Sequence, residues 1–306
     1  MHYTTNRVHC FFAFLVALSF AIGAGIVRAD APLEGTKPAQ WRLVWTTDPA
    51  TSAKLCWNTA EAGEDHAVLI GVKSEEKRSV KADVNGQYGD NPVYFHQVHL
   101  TDLTPATTYE VQMVSDGEKS PDFFFHTAPE EDRPFSILFG GDSRSSSATR
   151  RQVNQLMAKL VAEGAADDDP ATDIIAFAHG GDYIVSGRSF AQWLQWMVDH
   201  ELTVTEDGQL VPIIPARGNH DSGPLYDQVF GFPKDDHNYY TTKISKQLTF
   251  ITLNSEISAG GDQAKWLEEQ LEQSRPESRW LLAQYHRPAF PAVKSPGRAL
   301  QYWVPL

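Results

Sequence analysis

The sequence predicts two domains, a β-sandwich followed by an α/β domain. Three observations carry that prediction. Residues 40–127 hold short strand-like segments separated by turn residues, with no helical periodicity between them. Pro129 and Pro134 bracket a charged, linker-like stretch. Beyond it, apolar strands alternate with amphipathic helices. A length of 306 residues exceeds the usual single domain, and 42% hydrophobic content is enough for a real core.

The chain opens on Arg7 and an apolar run over 10–27, broken only by Ser19, Gly23 and Gly25, and ends it at Val27-Arg28-Ala29. This predicts a secretory signal peptide over 1–29, hence a secreted or periplasmic protein. An uncleaved membrane anchor is the competing reading; the Ala- and Gly-rich run and the cleavage-like site favour the signal. No later stretch is long enough to span a bilayer, so no stable membrane association is expected after cleavage. Cys56 is then the sole thiol. It lies in a strand-like segment, so it reads as a small core residue rather than a nucleophile.

The first domain, 32–129, carries strand-like segments at 41–46, 53–59, 67–72, 93–101, 108–114 and 122–126. Tyr109 follows the Pro105 turn at the start of a strand, as in the tyrosine corner of immunoglobulin-like and fibronectin type III-like sandwiches. This part resembles a fibronectin type III-like module. The second domain, 133–306, begins with 135–139, a continuous apolar strand of the kind buried on both faces. A helix follows over 147–163, with Val153, Leu156, Met157, Leu160 and Val161 on one face. Then come a buried strand at 173–178, a helix at 190–198 and a strand at 211–214. A hairpin of 239–244 with 248–253, a helix over 262–273 and a strand at 280–285 complete a largely parallel α/β pattern.

Four strands end in polar residues: Gly140-Gly141-Asp142-Ser143-Arg144, His179-Gly180-Gly181-Asp182, Arg217-Gly218-Asn219-His220-Asp221 and Tyr285-His286-Arg287-Pro288. Functional residues of open α/β sheets gather at such carboxyl ends, and the glycines allow sharp turns that bring side chains together. Singly, each set is a turn or a cap; together, carboxylates, an amide oxygen and imidazoles are ligands for first-row metals. His179 reads as structural. The formal net charge of −13 argues against nucleic acid as a partner and leaves any attraction of phosphate to local cations.

From about residue 135 onward the chain is similar to the calcineurin-like metallophosphoesterase superfamily, and with the sandwich it resembles the purple acid phosphatase-like branch. The resemblance implies a four-layer α/β/β/α domain and two metal ions, iron, zinc or manganese. It implies Asp142 on the first ion, Asp182 bridging both, and Asn219 and His286 on the second. It further implies that His220 contacts substrate and protonates the leaving group, and that Asp221 orients it. A metal-activated hydroxide would attack a small phosphate monoester at this dinuclear centre. Arg144 and Arg287 could hold phosphate oxygens or simply cap the strand ends.

Two departures stand out. The branch has a Tyr three residues after the bridging Asp, where this chain has Val185; Tyr183, next to Asp182, is a doubtful ligand, and no purple colour is expected. The other branch has a His two after the first Asp, where this chain has Arg144. The resemblance also implies a closing Gly-His-x-His, which does not occur after His286. The chain is therefore expected to end inside its catalytic domain, to hold metal weakly and to hydrolyse little. A phosphodiesterase or nucleotidase with the same centre, decided by loops such as 222–236, is the enzymatic alternative. A non-catalytic secreted binding or adhesion protein with a degenerate phosphoesterase domain is the other.

Overall fold

The computed structural model describes residues 32–234, 236–292 and 299–306; the predicted signal peptide lies outside them. The first part consists of β1 (Ala39–Val44), β2 (Ala53–Thr59), β3 (His66–Val72), β4 (Arg78–Lys81), β5 (Val84–Gln87), β6 (Tyr94–Leu100), β7 (Thr108–Ser115), β8 (Glu118–Lys119) and β9 (Phe123–His126). Antiparallel β1-β2-β6-β5 faces β4-β3-β7-β8, and β9 pairs with β7. The strand β7 shows why these residues form a sandwich. Tyr109, Val111 and Met113 alternate with half-exposed Thr108, Glu110 and Gln112, so one face of the strand is apolar. Those residues meet Leu55, Trp57 and Val98 of the facing sheet in one core. The tyrosine corner is present: the Thr104 N–H donates to Tyr109 Oη over 2.8 Å. Cys56 is buried in β2, and burial pushes its thiol pKa up, which suits a core residue. Sequence patterning missed β4, β5 and β8, which are short and largely exposed and carry no apolar alternation.

The second part consists of β10 (Ser136–Gly140), α1 (Ser147–Ala166), β11 (Ile174–His179), α2 (Phe190–His200), β12 (Ile213–Pro215), α3 (Leu225–Phe230), β13 (Tyr240–Lys243), β14 (Leu248–Thr252), α4 (Asp262–Ser274), β15 (Trp280–Gln284) and α5 (Ala299–Tyr302). Strands β10, β11 and β12 are parallel neighbours; β13 and β14 form the expected hairpin, with β15 parallel to β14. Ile175, Ala178 and Ile214 of the first sheet pack on Ile244, Leu248 and Phe250 of the second. Trp193, Trp196 and Met197 of α2 cover the outer face of the first sheet, against Phe177 and Ile213. Leu267 of α4 packs on Ile251 and Leu253 outside the second. The layers are thus α/β/β/α.

The two parts share a sheet. The parallel pair β1–β12, with Val44 opposite Ile213 and the Trp45 N–H donating to the Ile213 carbonyl at 3.0 Å, joins them. The continuous order is β10-β11-β12-β1-β2-β6-β5.

Two expectations are corrected. Strand β10 lies at the edge of the sheet among the described residues, not buried on both faces, and Phe139 is 66% exposed. On α1, Met157 and Val161 are buried as expected, but Val153, Leu156 and Leu160 are exposed and Arg150 and Asn154 face inward. The reason is polar. Arg150 donates to the buried Asp199 carboxylate of α2 at 2.6 and 2.8 Å, and Asn154 Nδ2 donates to the Asp199 carbonyl at 2.7 Å. A buried carboxylate without these donors would be costly, so the ion pair sets the rotation of the helix.

Candidate metal centre

Parallel β10, β11 and β12 deliver their carboxyl ends to one edge, and β15 brings His286 to the same place. Asp142 and Asp182 both sit in left-handed backbone, φ 52° and 60°. Outside glycine that region is uncommon, and it clusters where function dictates side-chain direction. The loops can touch because two residues lack side chains. Gly181 has φ +96°, and a Cβ on it would stand 2.6 Å from Gly218 N. A Cβ on Gly218 would collide with the amide and carboxylate of Asp182.

Ligand atoms of Asp142, Asp182 and His286 lie within 4.8 Å of one another. His286 Nε2 is 3.3 Å from Asp182 Oδ2 and 3.2 Å from Asn219 Oδ1. Its Nδ1 is 2.9 Å from the Gly180 carbonyl, which can only accept, so Nδ1 carries the proton. In the neutral ring Nε2 is then a bare lone pair facing two oxygens. A cation between them resolves that clash, and a histidine held from behind by a backbone carbonyl is the usual form of a metal ligand. Asp182, Asn219 and His286 therefore fit a metal ion. Asp182 Oδ1 also accepts the His220 N–H at 2.9 Å.

The other predicted residues fall in different places. Asp142 is exposed, and Arg144 pairs with its Oδ1 while lying 3.4 Å from Asp182 Oδ2. Arg287 is paired with Glu256 at 3.0 Å. His220 is half-buried; its Nδ1–H donates to the Val185 carbonyl at 2.6 Å, which leaves Nε2 available to a substrate. Asp221 does not orient that ring. Its buried carboxylate accepts the N–H groups of Asp182 at 2.7 Å, Tyr183 at 3.0 Å and Gly218 at 2.8 Å, and so ties the two loops together. Burial pushes its pKa up to about 7, against the pull of these three donors.

Tyr183 is fully buried, stacked on His179 at 3.8 Å and packed among Trp193, Trp196, Tyr226 and Phe230, so it belongs to the core. His179 is structural as read. It accepts the Gly181 N–H at 3.2 Å and donates to Ser143 Oγ at 3.1 Å, linking the two Asp loops. Sequence reasoning gave Arg217 no role. Its guanidinium donates to the carbonyls of Asp221 at 3.1 Å and Gly223 at 2.7 Å, and to Asn238 Oδ1 at 2.7 Å. Its place at the head of the third motif was the available signal.

Residues 38–127 match the family model of the purple acid phosphatase N-terminal domain, and residues 124–303 match that of calcineurin-like phosphoesterases. The chain belongs to the calcineurin-like phosphoesterase family. An uncharacterized protein of Mycobacterium tuberculosis is 22% identical over 311 residues, covering 86% of this chain and 57% of that protein. Acid phosphatase type 7 of Danio rerio is 26% identical over 300 residues, covering 86% and 61%. The solved structure of PhoD superposes with a TM-score of 0.55 at 12% identity, covering 83% of this chain and 63% of PhoD, a likeness of fold. The chain thus spans about three fifths of the length of these relatives.

Proposed function

We propose that this chain is an exported, metal-dependent phosphatase that hydrolyses small phosphate monoesters. The observation that carries the reading is His286 Nε2 facing Asp182 Oδ2 at 3.3 Å and Asn219 Oδ1 at 3.2 Å. The name of the Danio rerio relative, an acid phosphatase, supports the monoester choice. Iron, zinc and manganese all suit a carboxylate, an amide oxygen and an imidazole. In the two-ion arrangement that the resemblance implies, Asp142 and Asp182 would hold the other ion.

A bound metal would polarise a phosphoryl oxygen and acidify water. The protein's own groups do the rest. Asp182 is fixed on both sides, by the His220 N–H on its carboxylate and by Asp221 on its amide, so the ligand oxygens are set before substrate arrives. His220, held through Nδ1–H, would in its imidazolium form direct Nε2–H at the departing alkoxide, give up that proton and return to the neutral ring. Arg287 stands exposed at the rim, where a phosphate can replace its Glu256 partner.

The same centre serves diesters, with loop 222–236 as the discriminating element. Turnover of an aryl monoester and a bis-aryl diester, measured with manganese, zinc or iron, separates the two. Slow hydrolysis favouring the monoester is expected, and it should vanish in Asp182→Asn with circular dichroism unchanged. A diester preference would make the chain a phosphodiesterase. No hydrolysis with any metal would favour a secreted binding protein.

A further inference from the structure

The turn that carries Asn219 and His220 is closed twice, once by a carboxylate and once by a guanidinium. The Asp221 carboxylate ties it to the loop of Asp182. The second closure comes from Arg217, the residue at which the turn begins. Its Nε donates to the Asp221 carbonyl at 3.1 Å, and Nη2 donates to the Gly223 carbonyl at 2.7 Å. The side chain thus bridges its own backbone to the main chain beyond the turn, and Asn219 and His220 lie inside the loop so closed.

The guanidinium is itself held from behind. Nη1 donates to Asn238 Oδ1 at 2.7 Å and stands 3.7 Å from Asp227 Oδ1, which also accepts from Asn238 Nδ2 at 3.0 Å. Its carbon lies 5.2 Å from the centre of the Tyr226 ring. Asn238 is buried in left-handed backbone, φ 54°, and Tyr226 and Asp227 belong to α3. Two carbonyls and an amide oxygen, each on a different nitrogen, suit the rigid planar fork of a guanidinium; an ammonium is a point charge and cannot span them. None of these bonds uses a ligand atom of the centre, so a bound cation need displace none of them. Without Arg217 the carbonyls of Asp221 and Gly223 lose these donors, and the turn is free to widen.

We propose that Arg217 is the positioning residue of this turn: it sets the amide oxygen of Asn219 and the imidazole of His220 by fixing the backbone between them and α3, and it touches neither group. This rests on the reading of the site as a metal-dependent phosphatase. It deepens that reading by registering the turn against α3 as well as against the Asp182 loop.

The test compares the native chain with Arg217→Lys, which keeps the charge opposite Asp227 but not the fork. Mn²⁺ is titrated into each and followed by electron paramagnetic resonance, and thermal melts are recorded with and without the ion. Mn²⁺ affinity should fall about 10–100-fold in the variant, as for other groups that orient metal ligands. The rise in Tm that Mn²⁺ confers should shrink at equal metal concentration. A residue that only stabilises the fold would lower Tm equally with and without Mn²⁺ and leave the affinity native. That result would overturn the inference and leave the phosphatase reading intact. No Mn²⁺ bound by the native chain would overturn both. Should Arg217→Lys fail to fold by circular dichroism, Asn238→Gly decides, since glycine keeps the left-handed backbone and removes only the acceptor behind the guanidinium. A smaller loss of Mn²⁺ affinity is expected there, and native affinity would overturn the inference.

Discussion

The backbone N–H of Asp182 donates to Asp221 Oδ2 over 2.7 Å, and in the same loop the His220 N–H returns a 2.9 Å bond to Asp182 Oδ1. Two motifs 38 residues apart are thereby locked to each other through main-chain amides rather than through their rings. The ligand geometry is a property of the loop junction.

Asp221→Asn should loosen that junction. The amide keeps one acceptor oxygen and turns an NH₂ group towards donors, so at least one buried N–H loses its partner. A loss of about 1–3 kcal/mol is expected by urea denaturation. Metal affinity should fall with it. Unchanged stability and unchanged metal affinity in the variant would contradict this role of Asp221.

Tyr183→Phe should be nearly silent. Its hydroxyl makes one long bond, 3.4 Å to the His179 carbonyl, so removing it should cost less than about 1 kcal/mol. Iron-loaded protein should lack a phenolate charge-transfer band in the visible before and after the substitution. A band present in the native chain and absent in the variant would place the phenolate on the metal.

Acid should destabilise the fold early. His96, His179 and His200 each have pKa values lowered to about 3, by burial first, then by His66 for His96, His200 for His179 and Arg42 for His200. In the unfolded chain each titrates near the ordinary value of about 6.5. Between those values the unfolded state binds more protons, so stability is full above about pH 6.5 and falls as pH drops towards 3. Thermal melts from pH 7 to pH 4 should show a steadily falling Tm, and His96→Gln should flatten the slope. A Tm independent of pH across that window would contradict the buried neutral histidines.

The sandwich was legible because burial on one face of β7 writes itself as alternation, and because the Tyr109 corner needs a tyrosine. The ligand types were legible for a similar reason, since only a few side chains can do that chemistry. What escaped has a common cause in partners remote in sequence. Arg150 and Asn154 look like surface residues until Asp199 is known to face them. Asp221 beside His220 looks like an imidazole partner, and its bonds to Asp182, Tyr183 and Gly218 depend on two loops meeting. Arg144 could be read as a phosphate clamp or a cap, but its grip on Asp142 and Asp182 required both strand ends in space.

The pairing of β1 with β12 bears on how this protein can be taken apart. A gene-level rearrangement that separated the sandwich from the catalytic half would strip β12 of a neighbour and bare the row of amides and carbonyls at Ile213. An uncovered strand edge recruits other chains, so the severed half would tend to polymerise. The sandwich therefore acts as a stopper on the sheet that carries the ligands.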